Sequence, residues 1–313
     1  MEQTGRWQTG AAPRRGVAIG LGVLVTFLWA TSVVMIRFAL TEEDIDPIGF
    51  AGVRFMLAGL LLLPLAIGGA RRSSIRNGSR GWLVRVGIYG LIVFCLAQLG
   101  FYFSAAELPA ATIGLFMGLA PVVAAVITLR DRHERASLPQ LVGIALLVAG
   151  VAAYFGLAIP TDISLVALVT VVSIPLFVGG GARLGRDVAV DSIRFGGPIT
   201  MTAIAMLVGA GALLALGLVL EGVPAFSART WLLIVWMAAV NGAFTYSLWA
   251  QSQRTLRAVE SSVLGDLTVI QIAIVGWIVL DEALDPTQVL GLLVAVAGVV
   301  VVQTAPMLRK TAS

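Results

Sequence analysis

Two stretches of this chain share one pattern: ERASLPQLVGIALLVAG at residues 134–150 and EALDPTQVLGLLVAVAG at residues 282–298. Each follows the order Glu-x5-Gln-x2-Gly-x6-Gly and leads into an apolar run. Every member of the pattern is displaced by 148 residues between the two copies. The chain is therefore predicted to contain two copies of one ancestral unit.

The charges around the two copies are opposite in sign. Arginines surround the first glutamate, Glu134, whereas aspartates flank the second, Glu282. Arginine and lysine residues of membrane proteins are retained on the cytoplasmic side, so loops of opposite charge are expected on opposite faces of the membrane. The pattern therefore predicts two repeats of inverted topology.

Composition indicates a membrane protein, because 58% of the residues are hydrophobic, 12% are charged, and the mean hydropathy is +0.97. Apolar runs of about 18 to 25 residues recur, the length that a helix needs to cross a bilayer. They lack the two-residue alternation of membrane β-strands. We predict an all-α integral membrane fold with ten transmembrane helices, in two inverted five-helix repeats. The spans are expected near 17–38, 48–68, 82–105, 109–129, 138–157, 163–182, 196–220, 231–253, 257–280 and 287–304.

The distribution of basic residues among the loops predicts that both termini are cytoplasmic in a multi-pass protein of the plasma (inner) membrane. The N-terminal apolar run is longer than a cleaved signal, so we expect a retained first span. The pI of about 9.8 follows from this topology and requires no nucleic-acid partner. The predicted units are a cytoplasmic segment 1–16, a first repeat 17–157, a second repeat 163–304 and a cytoplasmic tail 305–313.

Short motifs along the chain add to the repeated pattern. The first span contains Leu28-Trp29-Ala30, the second contains Pro47 with Arg54-Phe55, and the fourth contains Ala120-Pro121. The two repeated stretches contribute Glu134, Gly143 and Gly150, and Glu282, Gly291 and Gly298. Together they resemble the EamA branch of the drug/metabolite transporter superfamily over about residues 17–304. The resemblance implies a fold of two five-helix repeats of opposite topology.

The halves have diverged outside the repeated pattern. An offset of 148 places Thr202 opposite Arg54 and Phe177 opposite Trp29. Residues that recognise a solute are therefore not expected to be symmetric. The glycines of the motif, Gly143 among them, are expected to permit close packing of helices.

The resemblance implies a secondary transporter that exports or exchanges a small organic metabolite or drug by alternating access. Relatives carry amino acids, vitamins, sugars, nucleotide-like metabolites or cationic drugs, so the family does not name the solute. No phosphate-binding lysine motif is present, so an ion or solute gradient is expected to supply the energy. The expected partners are a small-molecule substrate and the lipid bilayer, and a homodimer is left open.

Asp266 is the first candidate for proton coupling. It lies about ten residues into a span entered from the cytoplasm, close to the middle of the membrane. A carboxyl group at that depth favours its neutral form and can exchange a proton or bind an amine. The alternative is a protonated carboxyl that only bonds a neighbouring helix.

Helical spacing selects further candidates for solute binding. Asn241, Thr245 and Trp249 recur at i, i+4 and i+8 in the eighth span, which predicts a polar and aromatic stripe. Shorter stripes occur in the third span, with Gln98 and Tyr102, and in the first span, with Trp29 and Ser32. Together with Asp266, these residues complete the set of candidates for solute binding. Such faces suit an amino-acid-like, amphipathic or aromatic solute. The alternative is ordinary packing.

Arg54 is assigned mainly to structure, as a salt bridge or helix cap, with solute binding left open. An integral-membrane enzyme is the alternative class, together with a lipid-carrier flippase. Catalysis is not expected because the only histidine, His133, has no cluster of acids or cysteines around it. Neither a cofactor nor a metal is expected.

Overall fold

The computed structural model describes residues 14–42, 45–72, 79–120, 123, 138–154, 164–252, 255–256 and 258–310. Pro121 and Glu134 lie outside these ranges, and the side chain of Asp266 also lies outside the described part. Throughout the described ranges the regular structure is helical, which confirms the all-α prediction.

The helices follow one another through short connections. Their bounds are α1 Arg15–Glu42, α2 Pro47–Arg72, α3 Ser79–Leu91, α4 Ala97–Glu107, α5 Ala110–Met117, α6 Leu138–Tyr154, α7 Leu165–Ser192, α8 Pro198–Leu220, α9 Ala228–Trp236, α10 Thr245–Ser252, α11 Ala258–Leu280 and α12 Pro286–Lys310. A π-helical segment, Ile92–Leu96, joins α3 to α4, and a second one, Met237–Phe244, joins α9 to α10.

Five helical stretches are long and apolar enough to cross a membrane: Arg15–Thr41, Pro47–Gly69, Arg80–Glu107, Pro198–Leu220 and Ala228–Trp249. Shorter apolar helices occupy Leu138–Tyr154, Leu165–Gly181, Leu267–Leu280 and Pro286–Val302. These positions agree with the apolar runs in the sequence. The count of ten spans stays a prediction.

The 148-residue register appears in the glycine contacts of α6 with α12 and in the π-helical segments. Gly143 contacts Gly298, and the residues displaced from them by 148, Gly291 and Gly150, contact each other as well. The first π-helical segment, moved by the same offset, falls within the second. Both repeats therefore carry the same local irregularity at the same place.

The register changes between α2 and α8. Both helices begin with a proline, Pro47 and Pro198, which are 151 residues apart. Proline suits the first helical turn because its missing N–H would be unpaired there in any case. Counted from these prolines, Ala205 rather than Thr202 is the residue opposite Arg54.

The repeated glycines face one another where α6 packs against α12. A Cβ built on Gly143 would lie 2.7 Å from the carbonyl oxygen of Gly298, and one on Gly298 would lie 2.6 Å from that of Gly143. Gly150 and Gly291 form a second pair, at 2.7 Å in both directions. The two helices thus approach closely at points where no side chain fits.

The last residues of α1, α4, α8 and α11 meet at one end of the bundle, which we call the acidic end because Glu107, Glu221 and Glu282 lie there. The carboxylate of Glu221 accepts hydrogen bonds from the backbone N–H groups of Ile48 at 3.0 Å and Gly49 at 2.7 Å. It therefore caps the first turn of α2, where backbone donors are otherwise unpaired. The opposite end is called the basic end.

Two acidic residues at the basic end differ from their predicted setting. The arginines around Asp187 and Asp191 in the sequence predict a solvated loop for both residues, but they lie inside α7. Arg85 Nη2 donates to Asp191 Oδ2 at 2.7 Å in a partly exposed ion pair. The loop prediction failed because the polar residues continue the helix by more than two turns beyond its apolar part.

Candidate functional site

Three polar residues from three helices meet inside the bundle. Arg54 of α2 donates from Nη1 to the hydroxyl of Tyr102 in α4 at 2.7 Å, and from Nη2 to Oγ of Ser32 in α1 at 2.8 Å. All three residues are at most 5% exposed. The remaining guanidinium donor, Nε, is buried and has no hydrogen-bond partner.

The assignment of Arg54 to a salt bridge or helix cap is not what the described side chains show. Its two partners are neutral hydroxyl groups. The guanidinium carbon also lies 4.6 Å from the centre of the Phe55 ring, within the range of a cation–π contact. The charge is thus held by two hydroxyls and an aromatic face.

A chain of aromatic rings continues from this point. Phe55 contacts Phe94 with 5.6 Å between ring centres, and Phe94 contacts Tyr246 at 6.1 Å. Trp29 then contacts Tyr246 at 5.7 Å and Trp249 at 5.3 Å. We call these five rings the ring chain. It connects α1 and α2 of the first repeat with α10 of the second, and Trp29, Tyr246 and Trp249 remain only half-buried.

Asn241 lies beside the same stretch of α1 but is held differently from the prediction. Its Nδ2 donates to the backbone oxygen of Leu28, and it lies 3.2 Å from Oγ1 of Thr31. The side chain is 1% exposed, and its Oδ1 has no hydrogen-bond partner. Asn241 therefore presents one unpaired acceptor at the junction of the two repeats.

The stripe of Asn241, Thr245 and Trp249 does not follow α-helical geometry. Residues Met237–Phe244 form a π-helix, and Thr245 Oγ1 donates to the carbonyl oxygen of Val240, five residues earlier, at 2.6 Å. The wider turn rotates the residues before it relative to those after it. Trp249 therefore joins the ring chain, whereas Thr245 is fully buried and bonds within its own helix.

Gln98 is the least engaged of the candidates from the third span. It is half-buried, and its Nε2 makes only a long contact of 3.4 Å to the carbonyl oxygen of Val93. Tyr102, one turn further along, contacts Arg54 instead. The two residues thus differ in their surroundings despite their helical spacing.

Asp266 lies in α11, away from the Arg54 cluster along the membrane direction. A Cβ built on Gly22 of α1 would lie 2.6 Å from Cδ1 of Leu264 in α11. Gly22 and Leu264 therefore lie at about the same height along the bundle axis. Ser32 is ten residues beyond Gly22, which at 1.5 Å per residue is about 15 Å toward the acidic end. The backbone of Asp266 is therefore about 12 Å nearer the basic end than that of Ser32.

A separate cavity of about 280 Å³ lies between α4, α7 and α8. Its lining is apolar, with Leu99, Phe103 and Phe177 among the larger side chains. The two hydroxyl residues in its wall, Thr170 and Ser173, donate to carbonyl groups of their own helix. This cavity therefore offers little to orient a polar solute, unlike the Arg54 cluster.

Sequence reasoning missed part of this arrangement. Phe55, Phe94 and Tyr246 were not candidates, although they complete the ring chain. Aromatic residues near the two π-helical segments were the available signal, but a π-helix has no distinct hydrophobic period. Within the described ranges, no group of three or more His, Cys, Asp or Glu residues could hold a metal ion.

Comparison with known proteins adds the family. A profile of the EamA-like transporter family matches residues 16–156 and 166–304, which covers both repeats. No curated protein matches the chain. A solved structure, described only as the crystal structure of a protein, is similar with a TM-score of 0.64 at 15% identity, over 92% of this chain and 98% of the other. That similarity concerns the fold alone.

Proposed function

This chain belongs to the EamA-like transporter family and is a multi-pass membrane protein of the drug/metabolite transporter type, and from that premise we propose what it carries and how. We propose that it exports or exchanges a small amphipathic or aromatic organic solute across the plasma membrane by alternating access. Both termini are cytoplasmic in this proposal, and the acidic end of the bundle faces outward. A gradient supplies the energy, with Asp266 as the proton-coupling group.

The observation that carries this proposal is the ring chain. Its members come from both repeats and begin beside the buried cluster of Arg54, Ser32 and Tyr102. Movement of one repeat against the other therefore changes the ring contacts. Half-buried aromatic faces with few polar groups suit solutes that have an apolar body and one polar end. Trp29, Ser32, Tyr102, Asn241 and Trp249 are the proposed contacts, and Gln98, Thr245 and Asp266 complete the proposed path.

Transport is tested with purified protein in liposomes. Vesicles loaded with L-phenylalanine, 2-phenylethylamine or 3-phenylpropanoate are diluted, and efflux is compared with that from protein-free vesicles. We expect faster efflux of at least one solute. Efflux of all three at the protein-free rate would refute the proposal.

Two tryptophan variants separate recognition from packing. Trp249→Ala opens the ring chain and is expected to lower efflux about tenfold or more. Trp231, which is 45% exposed at the acidic end and contacts Phe226, provides the control. Trp231→Ala should keep most of the activity. Equal losses would mean that Trp249 contributes only to packing.

A further inference from the structure

Arg54 is a buried positive charge without an anionic partner among the side chains that the structure describes. It is 5% exposed, its two partners are hydroxyl groups, and Nε has no acceptor at all. An ionised group inside a membrane protein is costly unless it is paired, and unpaired ones mark the path of a substrate or ion. The missing partner is therefore informative.

The described acids do not supply that partner. Glu282 pairs with Arg37, Asp191 pairs with Arg85, and Glu221 caps α2. The other carboxylates with described side chains also lie near helix ends or in the connections: Asp46, Glu107, Asp187, Asp281 and Asp285. Asp266 lies about 12 Å along the bundle axis from Ser32, judged from the helix backbones.

We propose that the solute of this transporter is an organic anion whose acid group pairs with Arg54 while its apolar or aromatic body lies along the ring chain. This inference rests on the proposed transport function and specifies its substrate class. A carboxylate is the acid group that fits best, because one oxygen can accept from Nε and the other from an adjacent amino group of the guanidinium.

The two hydroxyl groups strengthen this assignment. Ser32 and Tyr102 each accept a hydrogen bond from Arg54, so each keeps its own O–H for donation. These two hydroxyl groups and the unpaired Nε–H add three hydrogen-bond donors at the guanidinium, which suits an anion and disfavours an ammonium group. Phe55 covers one face of the guanidinium, and the edge that carries the unpaired Nε–H is the proposed point of approach.

The ring chain provides the contacts for the apolar or aromatic body of the anion. It begins at Phe55, directly beside the guanidinium, and reaches Trp249 through contacts of 5.3 to 6.1 Å between ring centres. Arg54 and Tyr102 are buried while three rings of the chain keep exposed surface. A solute is therefore expected to meet the rings first and to place its acid group at the inner, closed end.

Three probes with one carbon skeleton test the charge preference in purified protein. They are 3-phenylpropanoate, 3-phenylpropan-1-ol and 3-phenylpropylamine, which are anionic, neutral and cationic at neutral pH. Binding is measured by tryptophan fluorescence and by the shift in thermal stability. We expect the anion to bind about ten- to a hundredfold more tightly than the other two, the range for a hydrogen-bonded charge pair.

Variants assign the preference to one side chain. Arg54→Gln should remove it, whereas Arg85→Gln, which deletes an arginine from a partly exposed ion pair, should leave it unchanged. Arg54→Lys keeps the charge and should keep part of the preference. Equal or undetectable binding of all three probes to the unmodified protein overturns the inference, and this comparison requires no variant to fold.

Failure of the inference is separable from failure of the proposed function. If the protein accelerates efflux of L-phenylalanine or 2-phenylethylamine from liposomes but shows no preference for the anion in binding, transport stands and the anionic substrate falls. If the anion binds through Arg54 but no solute is released, the binding site stands and transport falls. Preference for the anion in both binding and efflux supports both.

Discussion

Arg37 and Glu282 form an ion pair at the acidic end, with 3.0 Å between Nε and Oε1. Arg37 Nη1 also donates to the carbonyl oxygens of Ala105 and Ala106, each at 3.0 Å, and the second carboxylate oxygen of Glu282 accepts from the N–H of Ala110 at 2.7 Å. One glutamate of the second repeat thus contacts α1 and α5 of the first directly, and the end of α4 through Arg37. Glu282 is the first residue of the repeated pattern, so the motif begins with a link between the repeats.

Glu282→Gln is expected to lower the free energy of unfolding by about 1–3 kcal/mol, since a partly buried arginine loses its charged partner. The amide still accepts one hydrogen bond, so the protein should fold. The measurement is thermal or denaturant unfolding in detergent. Asp281→Asn, a change at the exposed neighbouring residue, is the matched control and should shift stability by less than about 0.5 kcal/mol. Equal shifts in the two variants would show that the ion pair contributes nothing measurable.

Gly150→Ala is expected to destabilise the protein by about 1–3 kcal/mol or more, because the new methyl group would meet the carbonyl oxygen of Gly291 at 2.7 Å. The helices α6 and α12 must then move apart along their whole contact. Gly20→Ala in α1 is the control, since a Cβ there has no other atom within 4 Å. Alanine at Gly20 should be neutral or slightly stabilising. Yield of monodisperse protein and its thermal unfolding both report the difference.

The apolar runs made the helices predictable, because each run is long and its ends are charged or contain proline. The repeat was predictable because its glycines permit a close contact between helices. Gly143 and Gly298 form one such contact, and the glycine spacing recurs in the sequence because the contact occurs twice. Gln288 could also be placed locally, since it exchanges hydrogen bonds with Asp285, three residues before it, at 2.8 and 3.0 Å. This is a capping box, which depends on near neighbours in the chain.

The partners of Arg54 could not be predicted, because they depend on contacts between distant segments. Ser32 and Tyr102 are 22 and 48 residues away from it in the chain, and helical spacing selects each of them for its own helix face rather than for a shared position. The place of Trp249 against Trp29 depends further on the π-helical turn, which changes the rotation of α10. Helical spacing therefore predicted several members of the site but not how their side chains are arranged relative to one another.

Orientation in the membrane is tested with single cysteines at the two ends, in a background with the buried Cys95 changed to alanine. Val223, 85% exposed between α8 and α9, represents the acidic end, and Ile193, 77% exposed after α7, represents the basic end. Asp285 is not suitable for a cysteine substitution at the acidic end, because its side chain caps α12. Val223→Cys should react with an impermeant maleimide in intact cells, whereas Ile193→Cys should react only after permeabilisation. The reverse pattern would invert the proposed topology, and labelling of both from one side would contradict the inverted repeat.

Asp266→Asn is expected to abolish accumulation against a gradient while leaving passive exchange and folding largely intact. Asparagine keeps the size and hydrogen-bonding capacity of the side chain but cannot release a proton. A carboxyl group deep in the membrane favours its neutral form, so gaining or losing the proton can bias the two conformations differently, as coupling requires. The measurement is uptake into liposomes with and without an imposed pH difference, with Asp187→Asn near the basic end as the control. Unchanged accumulation with the same pH dependence would make Asp266 a hydrogen-bonding residue only, and loss of folded protein in the asparagine variant alone would assign it to packing.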